Sequence, residues 1–299
     1  METIKKIDIH AHVSAYPELI PPYPSNGQAI LGVEDLLSMY DELNIEKGVL
    51  LPMVNPEAQY AIMTSEDCKI ISDKYPDRFV WFCGIDPRMA ENTGASDLCY
   101  LLEHYKRLGA KGMGELTAQL YIDDPKVDNL FSCLEELNMP VTIHIAPCFG
   151  GCYGIVDELG VPRLEKMLKK HPKLKVLGHS QCFWSEISQD NSEQTRNSYP
   201  NGKVVEGRIA ELMRRYENLY CDLSAGSGRN AMMRDREYAR GFLEEFSDRI
   251  LYGCDICVKT TNHPYIFDTF LTSLRESGDI KETTYKKIVR DNAIKLLEL

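Results

Sequence analysis

Side chains that bind metals stand at the ends of short apolar runs in this sequence. Four of the seven histidines lie there, and two carboxylates occupy corresponding positions in other runs. The six side chains are His10, His12, Glu115, His144, His179 and Asp255. Imidazole nitrogens and carboxylate oxygens together form the donor set of a divalent cation site.

The first of these runs, DIHAHV, carries two histidines that are two residues apart. Strand alternation divides the run into two faces, with Asp8, His10 and His12 on one and Ile7, Ile9 and Ala11 on the other. We expect the polar face to point into the fold, with Asp8 orienting an imidazole. Two imidazoles on one strand face can hold a cation, but an isolated pair also occurs in ordinary protein cores.

Burying several imidazoles and carboxylates in one cluster costs free energy unless each group has a hydrogen-bonding or charged partner. A divalent cation is such a partner, and this donor set favours zinc, with manganese, iron or cobalt as alternatives. The competing interpretation is a group of core histidines paired with carboxylates. The number of strand ends that carry such side chains favours the metal.

Eight strand-like runs recur about every 35 residues, a spacing that holds one strand, one helix and two loops. They span residues 4–13, 47–54, 78–86, 110–116, 140–146, 174–180, 219–225 and 249–256. Amphipathic helices are predicted between and after them, over 32–43, 65–74, 96–108, 124–138, 162–170, 206–216, 236–246, 266–276 and 282–297. The pattern predicts one α/β domain over residues 1–299, a (β/α)8 TIM barrel with a C-terminal helix. A doubly wound parallel sheet is the alternative.

Two connections are too long for ordinary turns. Residues 14–31 follow the first predicted strand, and residues 185–203 follow the sixth. Loops that follow barrel strands lie on the face where binding sites form, so we expect both to cover a pocket. Each could equally be a tolerated surface insertion.

Composition excludes several classes of protein. Apolar residues make up 43% and charged residues 26% of the chain, which excludes a disordered or disulfide-scaffold protein. The net charge of −11 disfavours nucleic acids and anionic membranes as partners. With no signal peptide or long apolar segment in the sequence, we expect a cytoplasmic protein. The ten cysteines are predicted to be reduced and mostly buried, and the Cys254-x-x-Cys257 pair to be structural.

Five motifs together resemble the amidohydrolase superfamily, specifically its amidohydrolase-2 branch of metal-dependent barrel enzymes. They are DIHAHV, IHI at the fifth strand, GHS at the sixth, GCDI at the eighth and the closing RDNAIKLLEL. The resemblance covers the chain from Ile4 to Leu299. It implies that His10, His12, His144 and Asp255 bind metal and that His179 takes part in catalysis beside it. It also implies a small-molecule substrate and association into homo-oligomers.

Glu115 departs from many members of this branch, which lack an acidic residue on the fourth strand. Some relatives in the superfamily use a glutamate there as a ligand, sometimes between two metals. We therefore expect Glu115 to be a ligand, with one ion, or with two if it bridges. A salt bridge to Lys111 or to an arginine is the structural alternative.

Such a centre lowers the pKa of water and polarises a carbonyl, which predicts a hydrolase of amides, lactones or related carbonyls. Asp255 would transfer the proton and His179 would stabilise the oxyanion or act as an acid. Non-oxidative decarboxylation of a small carboxylic acid, aromatic acids included, is the alternative that the resemblance offers. A hydratase, a metal-free lactonase and a catalytically silent binding barrel are lesser alternatives.

Three residues are weaker candidates for substrate contact. Arg229 follows the seventh strand in the sequence SAGSGRN, whose glycines and serine could present backbone N–H groups to an anion. Trp184 follows the sixth strand, and His263 lies beyond the eighth. A flexible surface loop is the alternative for the segment around Arg229.

Overall fold

The structure is a computed structural model of the chain, and it describes residues 4–299. The strands within this range are β1 (Lys6–Ala11), β2 (Ile45–Leu50), β3 (Phe79–Trp81), β4 (Met113–Leu116), β5 (Val141–Ala146), β6 (Ile155–Val156), β7 (Val176–His179), β8 (Leu219–Asp222) and β9 (Ile250–Leu251). All strands except the short β6 correspond to the eight runs expected from the sequence.

Helices follow the strands around the molecule. They are α1 (Val33–Glu42), α2 (Ser65–Lys74), α3 (Leu98–Arg107), α4 (Pro125–Glu136), α5 (Pro162–Lys170), α6 (Gln181–Ser185), α7 (Arg208–Arg215), α8 (Ala225–Met233), α9 (Arg236–Glu245), α10 (His263–Glu276), α11 (Glu282–Lys286) and α12 (Asn292–Leu297). A 3-10 turn covers Pro17–Leu19, and a π-helical turn at Lys287–Asp291 joins α11 to α12. No helix within residues 4–299 is long and apolar enough to cross a membrane.

The strands form a parallel ring. One sheet has the order β1-β2-β3, and the other has the order β4-β5-β7-β8-β9. Parallel bridges between Cys83 and Met113, and between Ala11 and Ile256, join the two sheets at both edges. The expected (β/α)8 barrel is therefore confirmed, and all carboxyl ends of its strands lie at one mouth.

Capping explains why a typical helix begins where it does. Asp124 precedes α4 and its side chain accepts a hydrogen bond from the Lys126 N–H, while Pro125 occupies the first helical position. The buried face of α4 carries Val127, Leu130, Phe131, Cys133 and Leu134, the side that packs on the barrel.

An apolar cluster fills the barrel and closes its amino end. Residues in or directly after the strands pack with three residues of the C-terminal helix; they are Ile7, Ile9, Val49, Leu51, Phe82, Leu177 and Leu251, against Ala293, Leu296 and Leu297. Leu296 and Leu297 also lie beside Lys111 and Met139, which precede β4 and β5. Helix α12 therefore covers the barrel at the end opposite the mouth.

One local alternative and one local expectation are wrong. The segment around Gly226 and Gly228, for which a flexible loop was the alternative, is the start of helix α8. A Cβ on Gly228 would lie 2.3 Å from the Leu223 carbonyl oxygen, so glycine is required for this close approach. Cys99 and Cys133 form a disulfide between the neighbouring helices α3 and α4, where reduced thiols were expected. The other eight cysteines are free.

Candidate metal centre

The five predicted metal ligands and the predicted catalytic residue His179 come together at the barrel mouth. They lie in or shortly after β1, β4, β5, β7 and β9, and five of them are buried: His10, His12, Glu115, His144 and His179. Three groups have ligand atoms within 4.8 Å of one another: His10 with His12 and Glu115, His10 with His179 and Asp255, and Glu115 with His144 and His179. The strand ends thus converge as the sequence predicts.

The two histidines of β1 present the same nitrogen to the same point. Their Nε2 atoms lie 3.0 Å apart. The Nδ1 of His10 is 2.6 Å from a carboxylate oxygen of Asp222, and the Nδ1 of His12 is 2.9 Å from the carbonyl oxygen of Leu51. When Nδ1 donates to these acceptors, Nε2 is left with its lone pair free for a cation.

Glu115 lies between two pairs of imidazoles. Its Oε2 is 3.5 Å from the His12 Nε2 and 3.9 Å from the His10 Nε2. Its Oε1 is 2.8 Å from the His144 Nδ1 and 3.8 Å from the His179 Nε2. The two oxygens of one carboxylate therefore face two different sets of nitrogen ligands.

Asp255 completes the cluster from the segment after β9. Its Oδ1 lies 3.8 Å from the His10 Nε2 and 3.7 Å from the His12 Nε2, and its Oδ2 lies 3.8 Å from the His179 Nε2. Its backbone N–H donates to the His10 carbonyl, which fixes the turn that aims the carboxylate. The Cys257 thiol is 3.3 Å from the Asp255 Oδ1 and also lines the neighbouring cavity.

Asp8 does not orient an imidazole, which corrects the expectation from strand alternation. The Tyr40 hydroxyl of α1 donates to the Asp8 Oδ2 at 2.6 Å, and the backbone N–H groups of His10 and Cys254 donate to its Oδ1. The pairing of β1 with β2 is irregular between Asp8 and Ala11, so the side-chain parity changes before the histidines. Ile7 and Ile9, expected to face the helices, pack inside the ring instead.

Asp222 at the end of β8 is the partner of His10 that sequence reasoning missed. It is fully buried, and its Oδ2 also lies 3.5 Å from the Nδ1 of His179. Its only sequence signal is an acidic residue that ends the apolar run LYCD, at the same strand end as the other site residues.

The buried charges require a positive counterpart. Burial lowers the pKa of His10, but the carboxylates of Asp222, Asp255 and Glu115 raise it to about 10. Burial raises the pKa of Asp255, but His10, His12 and His179 lower it to about 2. Burial and the charge of His10 lower the pKa of His179 to about 4, so its imidazole is neutral. The carboxylates that stabilise the positive charge of His10 would stabilise a divalent cation in place of its proton.

A cavity of about 370 Å³ opens directly on this cluster. Its floor includes His12, Glu115 and Asp255. The walls include Tyr23 and Asn26 from the loop after β1, Gln59 from the loop after β2, and Tyr153 from the loop after β5. The Tyr153 ring also packs on the His144 ring, with centroids 4.5 Å apart. Residues 14–31 thus cover the pocket as expected, whereas residues 185–203 do not line it.

The three weaker candidates lie outside the lining of this cavity. Trp184 is buried, and its indole N–H donates to the Asp222 carbonyl oxygen at 2.9 Å, so it supports the strand end. His263 begins α10, where its Nε2 donates to the Cys254 carbonyl at 2.6 Å. Arg229 is half-buried on α8, and its guanidinium makes no hydrogen bond or ion pair within residues 4–299. Lys111 contacts the Glu298 carbonyl rather than Glu115.

Comparison with known families assigns the chain. The family model described as amidohydrolase matches residues 7–299, so the protein belongs to the amidohydrolase family in its amidohydrolase-2 form. A comparison with curated proteins found no match.

Solved structures with the same fold include both hydrolytic and decarboxylating enzymes. An uncharacterised TIM-barrel protein from Bordetella bronchiseptica is similar at 17% identity and a TM-score of 0.67, over 99% of each chain. A probable 2-pyrone-4,6-dicarboxylic acid hydrolase from Acinetobacter baumannii with bound citric acid is 16% identical, with a TM-score of 0.60 over 99% of this chain and 100% of that one. A dihydroxybenzoic acid decarboxylase from Polaromonas sp. with bound manganese and an inhibitor is 20% identical, with a TM-score of 0.58 over 99% of this chain and 97% of that one.

Proposed function

We propose that this protein is a metal-dependent hydrolase that acts on an amide, lactone or related carbonyl of a small molecule. The observation that carries the proposal is the position of Glu115, whose two oxygens face the His10 and His12 pair and the His144 and His179 pair. A carboxylate so placed suits two divalent cations a few ångströms apart, an arrangement typical of hydrolytic sites.

His10, His12 and Asp255 would hold one ion, His144 and His179 the other, and Glu115 would bind both. Zinc is the ion we propose, and manganese suits the same nitrogen and oxygen donors. Bound there, the ions would acidify water and polarise the substrate carbonyl. Asp222 fixes the ring of His10, so that its Nε2 stays aimed into the site.

Asp255 is the residue placed to move protons. Its low pKa keeps it ionised, and its two oxygens face both imidazole pairs at the floor of the cavity. It would accept the proton of the attacking water and return it to the leaving group. His179, neutral and 3.0 Å from the Ser224 hydroxyl through Nδ1, would use its Nε2 as a ligand or to stabilise the oxyanion.

Non-oxidative decarboxylation is the second candidate. The side chain of Arg229 favours decarboxylation, because a half-buried arginine without an ion-pair partner could bind a substrate carboxylate. However, Arg229 does not line the cavity, and this position favours hydrolysis.

Turnover by the metal-loaded protein distinguishes the two reactions. We expect proton release from simple lactones, ammonia or amine release from simple amides, and no carbon dioxide from a dihydroxybenzoic acid. Glu115→Gln should abolish hydrolysis, whereas Glu103→Gln, the same change on the exposed face of α3, should not. Carbon dioxide release without hydrolysis would assign the protein to the decarboxylases.

The location and assembly of the enzyme are also proposals. Eight free cysteines of ten support a reducing compartment, the cytoplasm. Cell fractionation tests the location, and alkylation should label the eight free thiols while the disulfide between Cys99 and Cys133 stays closed. Association into homo-oligomers is expected and is measured by light scattering.

A further inference from the structure

Two free cysteines lie four residues apart in the loop that follows β5. They are Cys148, which is exposed, and Cys152, which is half-buried. Of the other free cysteines in residues 4–299, only Cys257 is not buried. Cys148 is therefore the thiol most accessible to a reagent from solution, and Cys152 is its nearest partner along the chain.

The loop folds the Cys152 side chain back towards Cys148. The Cys152 thiol donates to the Cys148 carbonyl oxygen at 3.4 Å and lies 3.6 Å from the Gly150 carbonyl oxygen. The Gln119 Nε2 donates to the carbonyl oxygens of Cys148, at 3.2 Å, and Cys152, at 2.7 Å. The Gln119 Oε1 accepts from the Gly150 N–H at 2.6 Å. One side-chain amide thus holds both cysteines in a single turn, the close approach that a disulfide needs.

The residues between the two cysteines leave room for such a bond to close. Gly150 and Gly151 both have positive φ, at 80° and 70°. A Cβ on either glycine would meet no neighbouring atom within 4 Å. The turn can therefore tighten without a collision, and the change falls on two residues of high conformational freedom.

The turn is coupled to the metal centre through one residue. Tyr153 follows Cys152 directly, packs on the His144 ring with centroids 4.5 Å apart and lines the cavity. Gly154 comes next, and a Cβ there would lie 2.8 Å from the His144 carbonyl oxygen, so the chain runs tightly against β5. A movement of Cys152 is therefore passed to Tyr153, beside a proposed metal ligand.

We propose that Cys148 and Cys152 are a reversible redox site that closes to a disulfide by exchange with a small disulfide such as oxidised glutathione. The Cys148 thiolate attacks one sulfur of the small disulfide and releases one small thiol. The Cys152 thiolate then attacks the Cys148 sulfur of the mixed disulfide and releases the second small thiol. Two protein thiols are oxidised, one small disulfide is reduced, and the two protons pass to the released thiols.

The two cysteines have different roles in this exchange. Cys148 is exposed and meets the small disulfide first. Burial and the neighbouring Cys148 raise the pKa of Cys152, so a smaller fraction of this thiol is ionised and it acts second, within the protein. Closure of the bond draws Cys152 towards Cys148 and shifts Tyr153 against His144. We therefore expect the oxidised protein to hold metal less tightly.

Mass spectrometry tests the bond directly. The protein is incubated with oxidised glutathione, unfolded, alkylated and digested. We expect the number of alkylated cysteines to fall from eight to six, with no retained glutathione and with Cys148 linked to Cys152. Eight alkylated cysteines, glutathione retained on the pair, or a link between other cysteines would overturn the proposal.

Two single variants separate the roles of the thiols. Cys152→Ser should retain one glutathione on Cys148, because no second thiol displaces it. Cys148→Ser, the same change at the other end of the turn, should retain none. Equal retention by the two variants would overturn the assigned order of attack.

Metal affinity tests the link to the site. Competition with a chelator compares zinc binding by the reduced and the oxidised wild type. We expect binding about tenfold weaker after oxidation, and no change in Cys148→Ser after the same treatment. Equal affinity of the two wild-type forms would overturn the coupling to the metal centre. Neither experiment uses a substrate, so the outcomes are independent of which reaction the enzyme catalyses.

Discussion

The two ends of the barrel are built from the same strands but serve different purposes. At the amino end, Ile7 and neighbouring strand residues pack against α12 in an apolar cluster. At the mouth, the same β1 strand presents His10 and His12 among buried carboxylates. The apolar end stabilises the fold through burial, whereas the mouth keeps charges in low dielectric that only a cation or one another can satisfy. Variants at the two ends should therefore separate stability from function.

The largest effect on function is expected from Asp255→Asn. Loss of the carboxylate removes a ligand and the proton acceptor, so turnover should fall to near the uncatalysed rate. Melting of the metal-free variant should stay within about 5 °C of the wild type, because the fold does not depend on this charge. Residual activity above a few per cent of wild type would contradict the role of Asp255.

The largest effect on stability is expected from Ile7→Ala at the opposite end. Ile7 is 2% exposed, and truncation of a buried isoleucine costs about 2–5 kcal/mol in the free energy of unfolding. Urea denaturation measures the loss. The folded Ile7→Ala protein should keep the metal content and kcat of the wild type. If it lost bound metal as well as stability, the two ends of the barrel would be coupled, contrary to this prediction.

Asp222→Asn should have an intermediate effect. The change weakens the hydrogen bond that orients His10, and loss of such a partner reduces metal affinity by about 10–100-fold. Competition with a chelator measures this affinity. Trp184→Phe serves as a control, because it removes only the indole donor to the Asp222 carbonyl and should change affinity much less. Unaltered affinity in Asp222→Asn would remove Asp222 from the site.

The smallest effect is a pH dependence confined to the mouth. In the metal-free protein the pKa of His10 is about 10, above its ordinary value of 6.5, because of the carboxylates around it. Between these two pKa values the folded state keeps the His10 proton that the unfolded state has lost. The contribution of this proton to the free energy of unfolding is therefore complete below pH 6.5 and is lost as the pH rises towards 10. The difference in unfolding free energy between wild type and His10→Asn should narrow over this range. In Ile7→Ala, the free energy of unfolding should change with pH as it does in the wild type. A difference between wild type and His10→Asn that stays constant with pH would contradict the prediction.

The sequence predicts the barrel and the convergence of six imidazole and carboxylate side chains because periodicity and strand ends are local features. It does not predict the partner of His10. The irregular pairing after Asp8 turns this residue towards α1, and alternation alone contains no sign of that change. Asp222, from the distant strand β8, orients His10 instead of Asp8. The two residues meet only when the ring of strands closes.

The sequence left a flexible loop open for the segment that forms helix α8, for a related reason. Glycine and serine have low helix propensity, which favours a loop in any local reading. In the structure, Gly228 packs against the backbone of Leu223, and no residue with a Cβ would fit there. The cavity walls were missed as well, since Gln59 and Tyr153 lie in loops without a repeating pattern.

The metal content of Glu115→Gln compared with wild type tests the central claim most directly. Both proteins are loaded with zinc, freed of excess ion by gel filtration and measured by elemental analysis. The account predicts about two ions per chain in the wild type and one or fewer in Glu115→Gln. One ion in both proteins would contradict a bridging role for Glu115 and remove the main support for hydrolysis.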